Sequence, residues 1–380
     1  MRIAQVTYST KPRGGVVHTL ALSEALARRG HDVTVWTLGR GGDQAFFRSV
    51  DPAVTIRVVP FEPIDGEDVG HRIQRSIETM RRAFAESSSQ FDAVHAQDCI
   101  SANAVGPCIR TIHHLDEFTT PQLIACHDAA IREPIARLCV SAAVASDVAD
   151  GWGLAPTVIP NGVDAERFVA AAGPAGKAGR DRWRTELGPY VLALGGIEPR
   201  KGSIDLLDAF SLLRSQRPDL RLVFGGGETL FDYRPYREAF DARAAVLGIA
   251  PTILGVIDEP ELAPLVAGAA ALAFVSTKEG FGLAAMEALA AGVPVVARDL
   301  PVLREVFGST VSYATEATSI AAALSSAIGG DGPTADGGRA LAAAHDWDDV
   351  ARLHESFYEA VGQEGDHGQA VDLPDLHGAR

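Results

Sequence analysis

The segment Ser276 to Val296, STKEGFGLAAMEALAAGVPVV, sets two glutamates, Glu279 and Glu287, on either side of a glycine-containing turn. A carboxylate accepts hydrogen bonds from two vicinal hydroxyls at once, so such a pair suits a sugar or a ribose. The segment follows an apolar run, passes through Gly280 and Gly282, opens a helical pattern and ends at Gly292 before a second apolar run. Amides near Phe281, Gly282 and Leu283 would then form the first turn of a helix, an anion site for a diphosphate. Two structural alternatives stand beside this reading: Glu279 capping the helix dipole, and Glu287 on a solvated face. Met286, Leu289 and Ala290 put apolar neighbours around Glu287 and weigh against the second.

A second segment, LALGGIEPRKGSIDLLDAF from Leu192 to Phe210, runs from a strand pattern through Gly195 and Gly196 into a helix after Gly202. Arg200 and Lys201 lie in that loop, where they would meet phosphate charge; solvated basic residues in a turn are the alternative. Only four of the 34 basic residues are lysines, which draws attention to Lys201. A third segment, KPRGGVVHTL, holds Gly14 and Gly15 at a strand-to-helix turn, where a ligand could approach the backbone closely. His18 follows on that helix. His95 in FDAVHAQD, and His113 and His114 in TIHHLDEF, each end a strand pattern. Each of these histidines is a candidate for acceptor contact or for a buried, hydrogen-bonded place in the core. None of the sets has metal-ligand spacing.

These loops need elements to hold them. In the first half, short β-branched runs at 3–8, 33–37, 55–59, 93–96, 110–113, 138–140 and 157–159 alternate with helical patterns. In the second half, strand patterns at 191–194, 222–224, 252–254, 272–275, 294–297 and 311–313 alternate with helices near 203–216, 234–247, 260–270, 282–291 and 317–328. Such alternation predicts β-α-β units and two parallel, doubly wound α/β sheets. The expected division is a Rossmann-like domain over 1–169, a linker over 170–186 centred on the aperiodic AAAGPAGKAGR, and a second domain over 187–345. A helix over 346–362 with an apolar stripe of Val350, Leu353, Phe357 and Val361 is expected to pack back toward the first domain. A mobile polar tail over 363–380 completes the division.

Composition narrows the partners. A net charge of −15 argues against nucleic acid and against general binding to anionic membranes. The helix RIQRSIETMRRAF carries Arg72, Arg75, Arg81 and Arg82, which could touch a membrane bearing a lipid acceptor, with a solvated charged face as the alternative. The four cysteines lack close pairing and read as buried thiols. No export signal opens the chain, and the apolar run Ala263 to Val275 is shorter than the ~20 residues of a membrane helix. The cytoplasm is the expected location, peripheral to the inner membrane face if the acceptor is a lipid.

Taken together, GGVVH, DAVHAQD, TIHHLDEF, PNGVD at Pro160 to Asp164, GGIEPRKG and KEGFGLAAMEALAAGVPVV resemble the glycosyltransferase family 4 pattern of retaining GT-B enzymes, over about residues 2–361. The resemblance implies a GT-B fold, two facing Rossmann-like domains with a deep cleft, and metal-independent, retaining transfer of a hexosyl-type group. The donor would be a nucleoside diphosphate sugar as co-substrate, with no cofactor; the acceptor would be a small molecule, lipid or glycan. It implies that Glu287 binds the ribose, Glu279 the donor sugar, and Lys201 with the amides of Gly282 and Leu283 the diphosphate. It also puts Gly15 near the diphosphate and His113 beside the transferred sugar, with His114 as an adjacent competitor. The chain departs from the pattern at Gly196, where many members carry arginine, and Arg200 is the candidate to replace that cation. It also has Val275 where proline is common. A GT-B-like epimerase, a phosphorylase, or a non-enzymatic two-domain sugar or nucleotide binder are the competing readings.

Overall fold

The computed structural model describes residues 1–116, 118, 120–227 and 234–364. The chain divides into two compact units, residues 1–162 with 347–380, and residues 163–346. In unit 1 the strands are β1 (Arg2–Val6), β2 (Asp32–Arg40), β3 (Val54–Phe61), β4 (Ala93–Ala96), β5 (Ile109–Ile112), β6 (Ala136–Cys139) and β7 (Thr157–Val158). They form one parallel sheet in the order β3-β2-β1-β4-β5-β6-β7. Unit 2 holds β8 (Tyr190–Leu194), β9 (Arg221–Gly225), β10 (Thr252–Ile253), β11 (Ala271–Phe274), β12 (Val295–Arg298) and β13 (Ser312–Ala314). These are also parallel, in the order β10-β9-β8-β11-β12-β13.

Both sheets are covered by helices on two faces, which is why their strands read as near-continuous apolar runs. Ile3, Val33, Val191, Leu192, Leu272 and Val296 are fully buried. Strand order reverses between β1 and β4 in unit 1 and between β8 and β11 in unit 2. In open α/β sheets the carboxyl ends at such a reversal are where ligands bind.

The expected linker is helical. Ala165–Ala172 and Lys177–Leu187 are α-helices joined by a single 3-10 turn, Pro174–Gly176. Alanine is the best helix former, Gly173, Pro174 and Gly176 of this stretch fall at the break between the two helices, and Asp164 caps the first helix by accepting from the Arg167 amide. The chain instead passes between the units at Gly162–Val163 and again at Asp346–Trp347.

The helix Trp347–Glu364 packs on the helix Gly14–Arg28 within unit 1. Its buried face is Trp347, Val350, Ala351, His354, Phe357 and Tyr358, while Leu353 and Val361 are half-buried. The expected stripe is therefore rotated to take in two polar rings. Arg28 pairs with Asp348 at 2.6 Å, and Arg29 pairs with Glu355. Most of the polar tail expected over 363–380 lies outside the described residues.

Cys108, Cys126 and Cys139 are buried and Cys99 is half-buried, all as free thiols. On the helix Val69–Ala85, Arg75 pairs with Glu67 at 2.7 Å, and Arg81 and Arg82 pair with Glu78 at 3.2 and 3.3 Å. Much of the basic face is thus neutralised locally. Among the described residues no helix is long and apolar enough to cross a membrane.

Gly162 faces Trp347 so closely that an added Cβ would lie 2.6 Å from the indole Cδ2. Gly162→Ala should therefore destabilise the protein by about 1–3 kcal/mol through overpacking. Gly151, inside the helix Ala142–Trp152, has open space around it. Gly151→Ala should stabilise by about 0.5–1 kcal/mol through helix propensity. Urea midpoints of the two variants against the parent check both signs.

Candidate active site

In unit 2 the loops after β8 and β11 stand side by side at the strand-order reversal. The β8 loop turns through a 3-10 turn, Pro199–Lys201, and a left-handed Gly202 (φ +64°) into the helix Ser203–Gln216. A Cβ on Gly202 would strike the Val275 carbonyl, so this residue is fixed by both conformation and close approach. The Thr277 amide donates to Arg200 O at 2.7 Å, and Arg298 Nε donates to Val275 O at 2.8 Å. The two loops are stitched together through their backbones.

This brings Lys201, Arg200 and Glu279 into one cluster. Lys201 Nζ donates to Glu279 Oε1 at 2.5 Å, and Arg200 Nη1 lies 3.3 Å from the same oxygen. Arg200 also donates to Lys278 O at 3.2 Å and, through Nη2, to Glu198 Oε1 at 3.0 Å. Burial by itself would raise the Glu279 pKa. The charges of Lys201 and Arg200, with hydrogen bonds from Lys201 and Ser276, outweigh burial and hold it at about 2. Glu279 is therefore an ionised, half-buried carboxylate at neutral pH.

Beside it the helix Leu283–Ala290 starts at Gly282 (φ +108°), which supplies no side-chain cap. A Cβ there would lie 2.9 Å from Phe307 Cζ, so the start of the helix is packed as tightly as it is bent. The N-cap position is Gly282, and the Glu279 carboxylate is engaged by Lys201 and Arg200. The Gly282 carbonyl accepts from Ala285 and Met286, while the amides of Leu283 and Ala284 come before the first intrahelical bond. Glu287 lies further along the same helix, half-buried. Burial pushes its pKa up to about 7; the Arg167 charge opposes this and the Glu259 and Asp164 charges reinforce it.

In unit 1 the second set of expected residues also gathers. A Cβ on Gly15 would lie 3.4 Å from His113 Cδ2, and His18 packs edge-on to His113 at 4.8 Å. His113 Nε2 donates to Gln97 Oε1 at 3.0 Å, Gln97 Nε2 to Gln5 Oε1 at 2.8 Å, and Gln5 Nε2 to Tyr358 Oη at 3.0 Å. Because Gln97 Oε1 can only accept, the His113 proton sits on Nε2 and Nδ1 is the ring's acceptor. Burial, followed by His18 and Arg110, holds the His113 pKa well below its ordinary value. His113 is a neutral, oriented imidazole.

His18 and His95, expected on the acceptor side, are fully buried and meet no solvent. His18 Nδ1 pairs with Asn161 Oδ1 at 2.8 Å, and the ring packs against Trp347 at 5.4 Å. His95 bridges Tyr358 Oη at 2.7 Å and Thr111 Oγ1 at 2.6 Å. Both pack in the core against the last helix, His18 on Trp347 and His354 and His95 on His354 and Tyr358. His114 is about a third exposed and pairs with Asp116 at 3.2 Å.

Sequence reasoning missed Glu198, Gln97, Asn161 and Tyr358. Glu198 stands two residues before Arg200 in a loop read only for its cations, and that spacing was the available signal. Among the described residues no three His, Cys, Asp or Glu side chains group as a metal site would require.

Comparison with known proteins gives the family and the fold. Residues 12–167 match Glycosyltransferase Family 4 and residues 180–330 match Glycosyl transferases group 1. A glycogen synthase of Mycobacterium tuberculosis is 31% identical over 95% of this chain and 95% of its own. A phosphatidyl-myo-inositol mannosyltransferase of the same organism is 30% identical over 80% of each. Among solved structures, Anabaena Alr3699/HepE in complex with UDP and glucose superposes with a TM-score of 0.73 at 20% identity, covering 95% of this chain and 100% of that one. Sucrose-phosphate synthase from Thermosynechococcus elongatus superposes with a TM-score of 0.74 at 20% identity, covering 94% and 98%. The chain belongs to the family 4, group 1 glycosyltransferases and is a glycosyltransferase of the GT-B fold.

Proposed function

We propose that this enzyme transfers a hexosyl-type group from a nucleoside diphosphate sugar to a hydroxyl acceptor, with retention of configuration and without a metal ion. The observation that carries the reading is the convergence of Lys201 and Arg200 on Glu279 beside the helix start at Gly282 and Leu283. Two cations and the amides that precede the first intrahelical bond suit a leaving diphosphate, whose charge grows in the transition state. Glu287 takes the ribose hydroxyls and Glu279 those of the donor sugar. The solved neighbour with UDP and glucose supports a nucleotide-sugar donor.

Gly196 leaves the loop without the arginine common in the family, and Arg200 is the residue we assign in its place. Its contacts with Lys278 O, Glu279 and Glu198 hold the guanidinium beside Lys201. Glu279, engaged by both cations at a pKa of about 2, is a poor nucleophile, which favours front-face attack over a glycosyl-enzyme intermediate. In that course the C1–O bond to the diphosphate breaks, the acceptor oxygen bonds C1 on the same face, and the departing phosphate takes the acceptor proton. Neutral His113 contacts the transferred sugar, and Gly15 leaves room for the diphosphate. The competing readings of epimerase, phosphorylase and binding protein gain nothing from relatives named as a synthase and mannosyltransferases.

Screening nucleotide sugars for nucleoside diphosphate release identifies the donor. Proton spectra of the first product should then show the donor's anomeric configuration, and turnover should survive excess chelator. An inverted product, or activity that returns only with added manganese or magnesium, contradicts the respective part.

Glu287 gives a pH signature. Ribose hydroxyls donate, so they favour the ionised carboxylate, and a ligand-free pKa of about 7 means that binding expels a proton. Affinity for the nucleoside diphosphate should rise as pH climbs through about 7 and level off above it. Glu287→Gln should lose that component and bind about 1–3 kcal/mol more weakly on the high-pH plateau. Calorimetry on both proteins checks this, since phosphate ionisation near pH ~6 is common to the two and cancels. Parallel pH curves would remove Glu287 from the ribose site.

A further inference from the structure

A row of polar side chains crosses the middle of the first sheet, where apolar side chains would pack at lower cost. Gln5 in β1 and His95 in β4 are register partners, Thr111 lies in β5, and Gln97 and His113 are the first residues after β4 and β5. Tyr358, on the helix Trp347–Glu364, completes the row. Gln5, His95, Gln97, Thr111 and Tyr358 are buried, whereas His113 is half-buried. The row is sealed in the core and opens at His113, on the carboxyl edge of the sheet.

Donors and acceptors run along the row in one direction. His113 Nε2 donates to Gln97 Oε1 at 3.0 Å, Gln97 Nε2 to Gln5 Oε1 at 2.8 Å, and Gln5 Nε2 to Tyr358 Oη at 3.0 Å. A phenol has one proton to give, and that of Tyr358 faces His95 Nδ1 at 2.7 Å. His95 therefore carries its own proton on Nε2, which donates to Thr111 Oγ1 at 2.6 Å. Burial pushes the Tyr358 phenol up and the His95 imidazole well down, with His354, His18 and Arg110 adding to the second, so both stay neutral. Tyr358 is the joint of the row, taking a proton from an amide and giving one to an imidazole. An amide turned end over end fills the same space, so Gln5 and Gln97 keep their orientation because an acceptor waits at Tyr358 Oη. Without it both amides can reverse; Gln97 would then offer an N–H to His113 and move the ring proton to Nδ1.

We propose that Tyr358 is a positioning residue of the transfer reaction, whose hydroxyl acts through Gln5 and Gln97 to keep the His113 proton on Nε2 and so present Nδ1 to the sugar as a hydrogen-bond acceptor. The proposal rests on the reading of His113 as a contact of the transferred sugar given above. Tyr358 is buried and acts only through its neighbours. The tautomer matters because a sugar hydroxyl that donates gains electron density at its oxygen, which favours the positive charge growing on the ring as the C1–O bond breaks. A hydroxyl made to accept from an N–H loses density and opposes that charge. Holding the tautomer before the substrate arrives removes the need to reorganise during the reaction.

Two-bond nitrogen–proton spectra of protein labelled with nitrogen-15 histidine report the tautomer, because they separate a protonated ring nitrogen from a bare one. They are recorded on the ligand-free parent, Tyr358→Phe, Thr111→Val and Phe357→Leu proteins, with His113→Gln identifying the His113 signal. The parent should carry the His113 proton on Nε2, and Tyr358→Phe should shift it wholly or partly to Nδ1. Thr111→Val removes the acceptor at the far end of the row and keeps the test available if Tyr358→Phe does not fold. An orphaned lone pair costs less than an orphaned N–H, so the His95 proton should move to Nδ1 and reverse the row as far as His113. With the nucleotide sugar turned over in the release screen, both variants should lose about tenfold in kcat at nearly unchanged KM. Phe357, buried on the same helix outside the row, is the packing control: Phe357→Leu should lower the melting temperature and keep the parent's tautomer and kcat. An Nδ1 proton in the parent, an unshifted proton in folded Tyr358→Phe (or in Thr111→Val where that protein does not fold), or a shifted tautomer with the parent's kcat would overturn the proposal. The same shift in Phe357→Leu would overturn it as well. The spectra need no substrate, so the transferase reading fails separately, by absence of nucleoside diphosphate release from the parent.

Discussion

Lys201 and Glu279 come from loops that follow neighbouring strands, and their 2.5 Å contact is the constraint around which unit 2 is arranged. A half-buried ion pair is stable only if the remaining charges and lone pairs are also met. Arg200 and Glu198 extend the pair, with Arg200 meeting both Glu279 and Glu198. Keeping the pair in register requires Gly202 against the Val275 carbonyl, Gly282 against Phe307, and Arg298 spanning Val275, Thr315 and Asp205. Each lies at the carboxyl edge, so the loops are anchored by the strands whose order reverses there. In the proposed reaction the diphosphate would compete with Glu279 for Lys201 and free the carboxylate for sugar hydroxyls.

Unit 1 meets a different demand. Gln5 sits in the middle of β1 and is fully buried, which would be expensive for an unpaired amide. Tyr358, His95, Gln97 and Thr111 satisfy it in a continuous chain that ends on His113. The last helix thus fixes the tautomer of an imidazole more than two hundred residues away in sequence. Asn161 and Gly162 of the PNGVD segment have the same explanation: one bonds His18, and the other leaves room for Trp347.

The strand patterns and the helix starts were legible because they depend on local periodicity. Glu279, Lys201 and Gly282 were legible because glycine and charge at a strand-to-helix turn have few other uses. The stretch 170–180 misled because alanine and glycine give no apolar period, although alanine favours helix. His95 looked like a site residue because a histidine near a strand end reads alike whether it faces solvent or a helix from the far end of the chain, and His18 because it follows a glycine turn at a helix start. The same long-range packing hid Tyr358 and rotated the stripe of the last helix.

The most direct test of the donor cluster is the affinity of the preferred nucleoside diphosphate for the parent, Lys201→Ala, Arg200→Gln and the double variant, by calorimetry with folding checked by thermal melting. The account predicts a loss of about tenfold or more for Lys201→Ala, a smaller loss for Arg200→Gln, and non-additivity in the double variant, since both cations share Glu279 Oε1. Unchanged affinity in a folded Lys201→Ala protein would contradict it.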